Sequence, residues 1–186
     1  MSKDYKLVFI GPMGAGKTTA ITAISSKPPV VTEVRNTDRE AHAKASTTVA
    51  LDYGEVVIEG GGLLRLYGVP GQTRFSFMWP MVGKGALGAV LLADAAAPDA
   101  LAALDPFLEA FGHLLRDQRA VLGVGRGDVP GAVPTDDFIE HLASRGYTTP
   151  VFSVDVRQRA DVHLLLDVLF VQLEGRTDGA ALELAP

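Results

Sequence analysis

The chain has 186 residues, 47% hydrophobic and 21% charged, which suits one globular domain with a single sizeable core. Its formal net charge of −5 argues against a nucleic-acid backbone as partner of the surface as a whole. The absence of cysteine excludes disulfides, thiolate metal sites and a thiol nucleophile.

The first residues, Met-Ser-Lys-Asp-Tyr, lead straight into a strand without a signal-peptide pattern. Neither a glycine at position two nor a C-terminal cysteine offers a lipid anchor. The longest apolar run, Ala86 to Ala97, is too short to span a bilayer and is broken by Asp94. The expectation is a soluble cytoplasmic protein.

The apolar run Leu7 to Ile10 predicts a first strand over about Lys6 to Ile10. It is followed by Gly11-Pro-Met-Gly-Ala-Gly-Lys17-Thr18-Thr19 and an amphipathic helix from Lys17 to about Ser26. Strand, glycine loop and helix in that order, with G-x-x-x-x-G-K-[ST] spacing, define a phosphate-binding P-loop. Gly11, Gly14 and Gly16 let the backbone curl so that N–H groups face phosphate oxygens, and the helix N-terminus adds to the field. Met13, Ala15 and Thr19 belong to the same cradle. Lys17 reaches the β and γ phosphates, and the Thr18 hydroxyl is a Mg²⁺ ligand. The expected ligand is a nucleoside polyphosphate.

Pro28-Pro29 stops the helix. Val30 to Ser46 has no settled period and predicts a mobile loop. Thr47 to Ile58 is rich in β-branched residues, Gly60-Gly61-Gly62 makes a turn, and Leu63 to Tyr67 returns, so an antiparallel hairpin is expected. After Val69-Pro70-Gly71-Gln72 comes a short irregular helix near Phe75 to Val82. Gly88 to Ala93 reads as a buried central strand.

Ala100 to Arg116 is helical by spacing, with Asp99 as its cap. Val121 to Val124 and Val151 to Val154 are further strands. Asp136 and Asp137 favour a helix N-terminus after Pro134-Thr135, and Val162 to Leu173 is the last helix. Strands alternating with helices predict a doubly wound α/β domain over residues 1–175, with a mostly parallel six-stranded sheet and one antiparallel edge strand. Residues 176–186 are expected to be a frayed tail.

Two later stretches narrow the chemistry. One is Ala45-Ser-Thr-Thr48-Val-Ala-Leu-Asp-Tyr-Gly54; the other is Leu66-Tyr-Gly-Val-Pro-Gly-Gln72. With the loop, they make the chain resemble the Ras-like small GTPases from Lys6 to about Leu173, most closely the bacterial MglA-like branch. The resemblance implies that Thr48 ligates Mg²⁺ and reports the γ-phosphate. It implies that the Gly71 N–H meets that phosphate and that Gln72 orients the attacking water.

Asp128 falls where the family carries the aspartate of Asn-Lys-x-Asp and would read guanine. Gly125 and Arg126 replace the other two motif residues, so a solvated loop aspartate is the alternative. Ser153-Val154-Asp155 takes the place of a loop whose backbone meets the base carbonyl. The ligands implied are Mg²⁺ with GTP or GDP, and the partner implied is a protein regulator or effector of the roadblock type.

Three departures bear on mechanism. The family's aspartate three residues before Gly71 is Gly68 here; Asp52 and Asp94 are candidates to replace it. Met13 stands at a position where an incoming arginine finger packs closely, so such a finger is expected to be obstructed. The arginine that the branch carries before its switch threonine is Thr47 here, leaving Arg35, Arg39 and Arg74 as candidate cations. Slow hydrolysis is expected.

The group Phe75, Phe77, Met78, Trp79 and Met81 reads equally as a partner surface or as packing of a short helix. The four histidines show no metal-ligand spacing. Rival readings are a nucleotide-binding interaction module without significant hydrolysis and a P-loop small-molecule kinase.

Overall fold

The computed structural model describes residues 4–27, 30–35, 48–58 and 62–175; side chains at 30–35 and 48–50 are outside the description. Seven strands form one sheet: β1 (Asp4–Ile10), β2 (Val30–Arg35), β3 (Thr48–Ile58), β4 (Gly62–Gly68), β5 (Gly88–Asp94), β6 (Ala120–Gly125) and β7 (Val151–Ser153). Their order is β2-β3-β4-β1-β5-β6-β7. The helices are α1 (Lys17–Ile24), α2 (Trp79–Gly83), α3 (Asp105–Arg116), α4 (Thr135–Ser144) and α5 (Arg159–Glu174). A 3₁₀ segment, Thr73–Met78, leads into α2, and a second, Ala102–Leu104, leads into α3.

The fold class is the expected one, a doubly wound α/β sheet. β1 pairs in parallel with β4 and β5, and β5, β6 and β7 continue in parallel. The hairpin of β3 and β4 is antiparallel, as its turn predicts. The seventh strand is a correction. β2 occupies the first part of the stretch expected to be loop and pairs antiparallel with β3, from Val30–Tyr53 to Arg35–Thr48. It takes the outer edge in place of β3. An 11-residue β3 would otherwise present a long row of unpaired backbone groups, and β2 covers it. Residues 36–46 of that expected loop, Pro28-Pro29 and the tail 176–186 lie outside the described residues.

Period two in the central strand splits its side chains between two cores. Val8 and Ile10 join Leu91, Trp79, Phe107, Phe111 and Phe138 under α2, α3 and α4. Leu7 and Phe9 join Leu66, Val90, Ile21, Leu165 and Leu169 under α1 and α5. Every residue named here is at most 2% exposed, so β1 is clamped between two helical layers.

Helix ends differ from expectation in physical ways. α1 stops at Ile24 because the Ser26 N–H turns to Glu55 O, 2.8 Å away. Asp99 does not cap α3: its carbonyl, not its carboxylate, accepts from Ala103 N–H, and the helix begins at Asp105. α5 begins three residues early, at Arg159.

β1 lies where the chain direction switches. After β1 the chain runs to β2, β3 and β4 on one side, then returns to β5 on the other. In open α/β sheets the crevice beyond the carboxyl ends of strands at such a point is the ligand-binding position. The loop following Ile10 stands there.

Candidate functional site

Gly11, Gly14 and Gly16 all have positive φ, at 138°, 84° and 92°. These conformations let the loop curl over the end of β1, and no other residue type adopts three of them cheaply. The first N–H groups of α1 have no partner within the helix. Gly16 caps α1 without any side-chain hydrogen bond, so that positive end is left open.

Lys17 is folded back into the loop and only 8% exposed. Its Nζ donates to Gly11 O at 2.8 Å and Pro12 O at 2.6 Å. Burial pushes its pKa down to about 8, against an opposing pull from the Asp52 carboxylate. A lysine held this way has its ammonium aimed at the loop and costs little further ordering when an anion arrives.

Thr18 Oγ1 donates to Asp52 Oδ2 at 2.6 Å. Asp52 is directly opposite Gly68 in the β3–β4 register. A Cβ added to Gly68 would stand 2.9 Å from Asp52 Cβ and 3.0 Å from its Oδ2. The Asp52 carboxylate thus occupies the space that a side chain at 68 would take.

Asp94, the other candidate, is committed elsewhere. It accepts from Ala96 N–H at 2.9 Å and from Arg126 Nη1 at 2.7 Å. A hydroxyl beside a carboxylate is a hard-oxygen pair that suits Mg²⁺ completed by phosphate oxygens and water. Among the described residues no group of three His, Cys, Asp or Glu forms a self-sufficient metal cage. Thr48 opens β3 opposite Arg35, but its side chain is outside the described residues.

Gly71 packs directly on the loop: a Cβ there would fall onto Met13 N and the Pro12 carbonyl carbon. Only glycine fits that approach. It brings Gln72 to the loop, where its Nε2 meets Met13 Sδ at 3.2 Å while its Oε1 is buried with no partner. The Trp79 indole N–H donates to Pro70 O at 3.0 Å and holds this turn from below.

A cavity of about 550 Å³ lies over these groups, lined by Met13, Lys17, Thr18, Asp52, Gly71, Gln72 and Arg74 among others. A second, about 620 Å³, starts from the same Gly14, Gly16 and Thr19 and runs to Gly125–Val129 and Ser153–Arg157. Ala15 lines only the second. Together they make a groove with an end of loop amides and Lys17 and an end of mixed charge.

At the far end Asp128 is exposed and lines the cavity. Arg126 has φ 59° and is drawn away to Asp94. Asp155 is gripped by Arg157 through side-chain contacts of 2.8 to 3.1 Å, which lower its pKa to about 2.

The backbone differs from expectation here. Val154 N–H donates to Val124 O at 2.9 Å, and Asp155 N–H to Asp161 Oδ2 at 2.7 Å. Both are therefore spent. Val156, whose side chain touches the position of a Gly16 Cβ, is the next residue along and lines the cavity; its N–H has no partner among the described residues. The spacing of Ser153-Val154-Asp155 in sequence could not reveal this, because the consuming partners come from β6 and α5.

The aromatic group after Gln72 divides. Met78 and Trp79 are buried at 3% and 2%, with Trp79 stacked on Phe107 at 4.4 Å. Phe77 and Met81 are 50% and 47% exposed. The packing reading holds for Met78 and Trp79, and Phe77 and Met81 are left exposed.

No family model matches the chain. It is similar to an uncharacterized protein of Methanocaldococcus jannaschii, 35% identical over 96 residues. That match covers 51% of this chain and 54% of the relative, so the chain spans about half the length of the protein it matches. No helix among the described residues is long and apolar enough to cross a membrane.

Proposed function

We propose that the chain is a regulatory small GTPase of the Ras-like kind, close to the MglA-like branch, that binds Mg²⁺ with GTP or GDP and hydrolyses GTP slowly. One observation carries the reading: Gly71-Gln72 is packed against the Gly11–Thr18 loop at the switch point of the sheet. A loop that binds phosphate needs no glutamine beside it. One that lets water attack a terminal phosphate needs a residue to orient that water, and a glutamine can do so.

Lys17 takes the β and γ phosphates, Thr18 takes the metal, and Asp52 holds a metal-bound water in place of the aspartate missing at 68. Asp128 accepts from the guanine edge, and the Val156 N–H donates to the base carbonyl. The γ-phosphate orders the segments around Thr48 and Gln72, and a protein partner of the roadblock type reads the change, with Phe77 and Met81 on its side of the molecule.

The test measures affinity for GDP, GTP, ADP and ATP with Mg²⁺, then phosphate release, with Gln72→Ala as control. Guanine preference and turnover lost in Gln72→Ala are expected; preference for ATP would sink the reading. A second reading, a nucleotide-binding module without hydrolysis, is favoured by the Gln72 amide lying on Met13 Sδ rather than free in the cavity. Tight GTP binding with no phosphate release would select it.

A further inference from the structure

We infer that Arg74 is the cation, supplied by this chain itself, that meets the charge gathering on the terminal phosphate during hydrolysis. The inference rests on the GTPase reading above and names a residue that the resemblance does not supply.

Arg74 follows Gln72 by two residues in the Thr73–Met78 turn and lines the cavity over Lys17, Thr18 and Asp52. It also lines the neighbouring groove between Gln72 and the approach to α3, so its side chain stands on the wall between the two. Among the described residues Arg74 shares the lack of a carboxylate partner with Arg116, which bonds Tyr147, and Arg159, which bonds His163, but of these three it alone lines the cavity over Lys17. Arg65, Arg119, Arg126, Arg145 and Arg157 each lie within 4.0 Å of an aspartate oxygen. Arg74 has no such pair among the described residues; its guanidinium stands 4.8 Å from the centroid of the adjacent Phe75 ring. A cation over a ring keeps its charge and is held by about 0.5–1 kcal/mol at an exposed site, so it leaves that perch at small cost.

The cavity calls for such a group. Lys17 is a single cation, held from the loop side by two carbonyls, and Asp52 brings negative charge beside Thr18. When water attacks the γ-phosphorus, the bond to the β–γ bridging oxygen breaks, that oxygen leaves with the electron pair, and the water's protons pass to the products. Charge on the bridging and γ oxygens rises along the way, and a guanidinium placed there stabilises the transition state more than the ground state. Arg74 donates hydrogen bonds only and exchanges no atoms. An arginine from outside would have to displace Met13, which is 71% exposed at the loop and already in contact with Gln72. Arg74 already lines both cavities that Met13 lines, so it has no such passage to make.

The experiment is single-turnover hydrolysis of Mg²⁺·GTP by the full chain without any partner, for wild type, Arg74→Ala and Arg74→Lys. Affinities for GDP and a non-hydrolysable GTP analogue are measured alongside. The expected result is a hydrolysis rate lowered about tenfold to hundredfold in Arg74→Ala, affinities within about threefold, and partial recovery on adding guanidinium ion at non-denaturing concentration.

Wild-type turnover matched by Arg74→Ala overturns the inference and leaves the GTPase reading standing. So does a loss of rate that merely follows a loss of analogue affinity, since that would make Arg74 a ground-state contact. Wild-type GTP binding with no turnover removes the GTPase reading and the inference with it. Arg74 is exposed, so a folding defect is not expected, and thermal melting of each variant checks this.

Discussion

The two ends of the groove are built on opposite principles. At the loop end the polar groups are few and close together: buried Lys17 bonds the Gly11 and Pro12 carbonyls, exposed Thr18 donates to Asp52, and Gly71 packs against Met13. At the far end they are many, exposed and satisfied by one another: Arg126 with Asp94, Arg157 with Asp155, Asp155 N–H with Asp161. A preorganised site gives most of its interaction energy to a ligand, because its groups are already ordered and desolvated. At the far end two charge pairs, Arg126 with Asp94 and Arg157 with Asp155, must open before a ligand can use them, whereas at the loop end contacts to neutral carbonyls and a neutral hydroxyl are exchanged. The lesson is that phosphate should supply most of the affinity here and the base most of the remaining selectivity.

Four substitutions or conditions sharpen that contrast, and the first has the largest effect. Lys17→Ala should weaken GTP binding about 100-fold or more by calorimetry, since a charged donor to two phosphates is lost. Equal binding would mean that the loop is not the anchor.

Next, Asp52→Asn should cost about tenfold to hundredfold in Mg²⁺-dependent affinity while leaving metal-free nucleotide binding nearly unchanged. Gly68→Asp alone should not help, because its Cβ would crowd Asp52 at 2.9 Å. Combining it with Asp52→Gly should recover much of the loss, and a strictly additive double variant would refute the shared role.

Asp128→Asn should reduce the preference for GTP over ATP by about tenfold through the loss of a charged acceptor, with little change in total phosphate affinity. Competition binding measures it, and an unchanged ratio would make Asp128 a solvated loop residue.

The smallest effect is in pH. Lys17 titrates near 8 when the loop holds no anion, and a bound polyphosphate raises that value. Below pH 8 both forms are protonated and affinity is flat. Above it, binding must take up a proton, so affinity should fall by up to about tenfold per unit. In Lys17→Ala the slope should vanish.

Much of the fold was readable because it is local. Leu7 to Ile10 and Gly88 to Ala93 are apolar enough to be central strands whatever surrounds them, and the loop motif lies between fixed neighbours. β2 was not readable. Val30–Arg35 mixes valines with Thr32, Glu33 and Arg35, and becomes a strand because β3 offers it a long edge.

The site divides in the same way. Lys17 and Thr18 follow from spacing, whereas Asp52 could only be one of two candidates until the register placed it opposite Gly68. Asp94 is paired instead with Arg126, 32 residues away. Phe77 and Trp79, two residues apart, were indistinguishable in sequence, since a 3₁₀ turn running into a short helix has no single period to follow.

Trp79 has a practical consequence. It is the sole tryptophan of the chain, its indole N–H is fixed to the Pro70 carbonyl, and its ring lies flat on Phe107. Pro70 immediately precedes Gly71. Any rearrangement of the Gly71-Gln72 turn pulls on that hydrogen bond and alters the polarity around a single emitter. The indole therefore sits where its emission would report any rearrangement of this turn without a label.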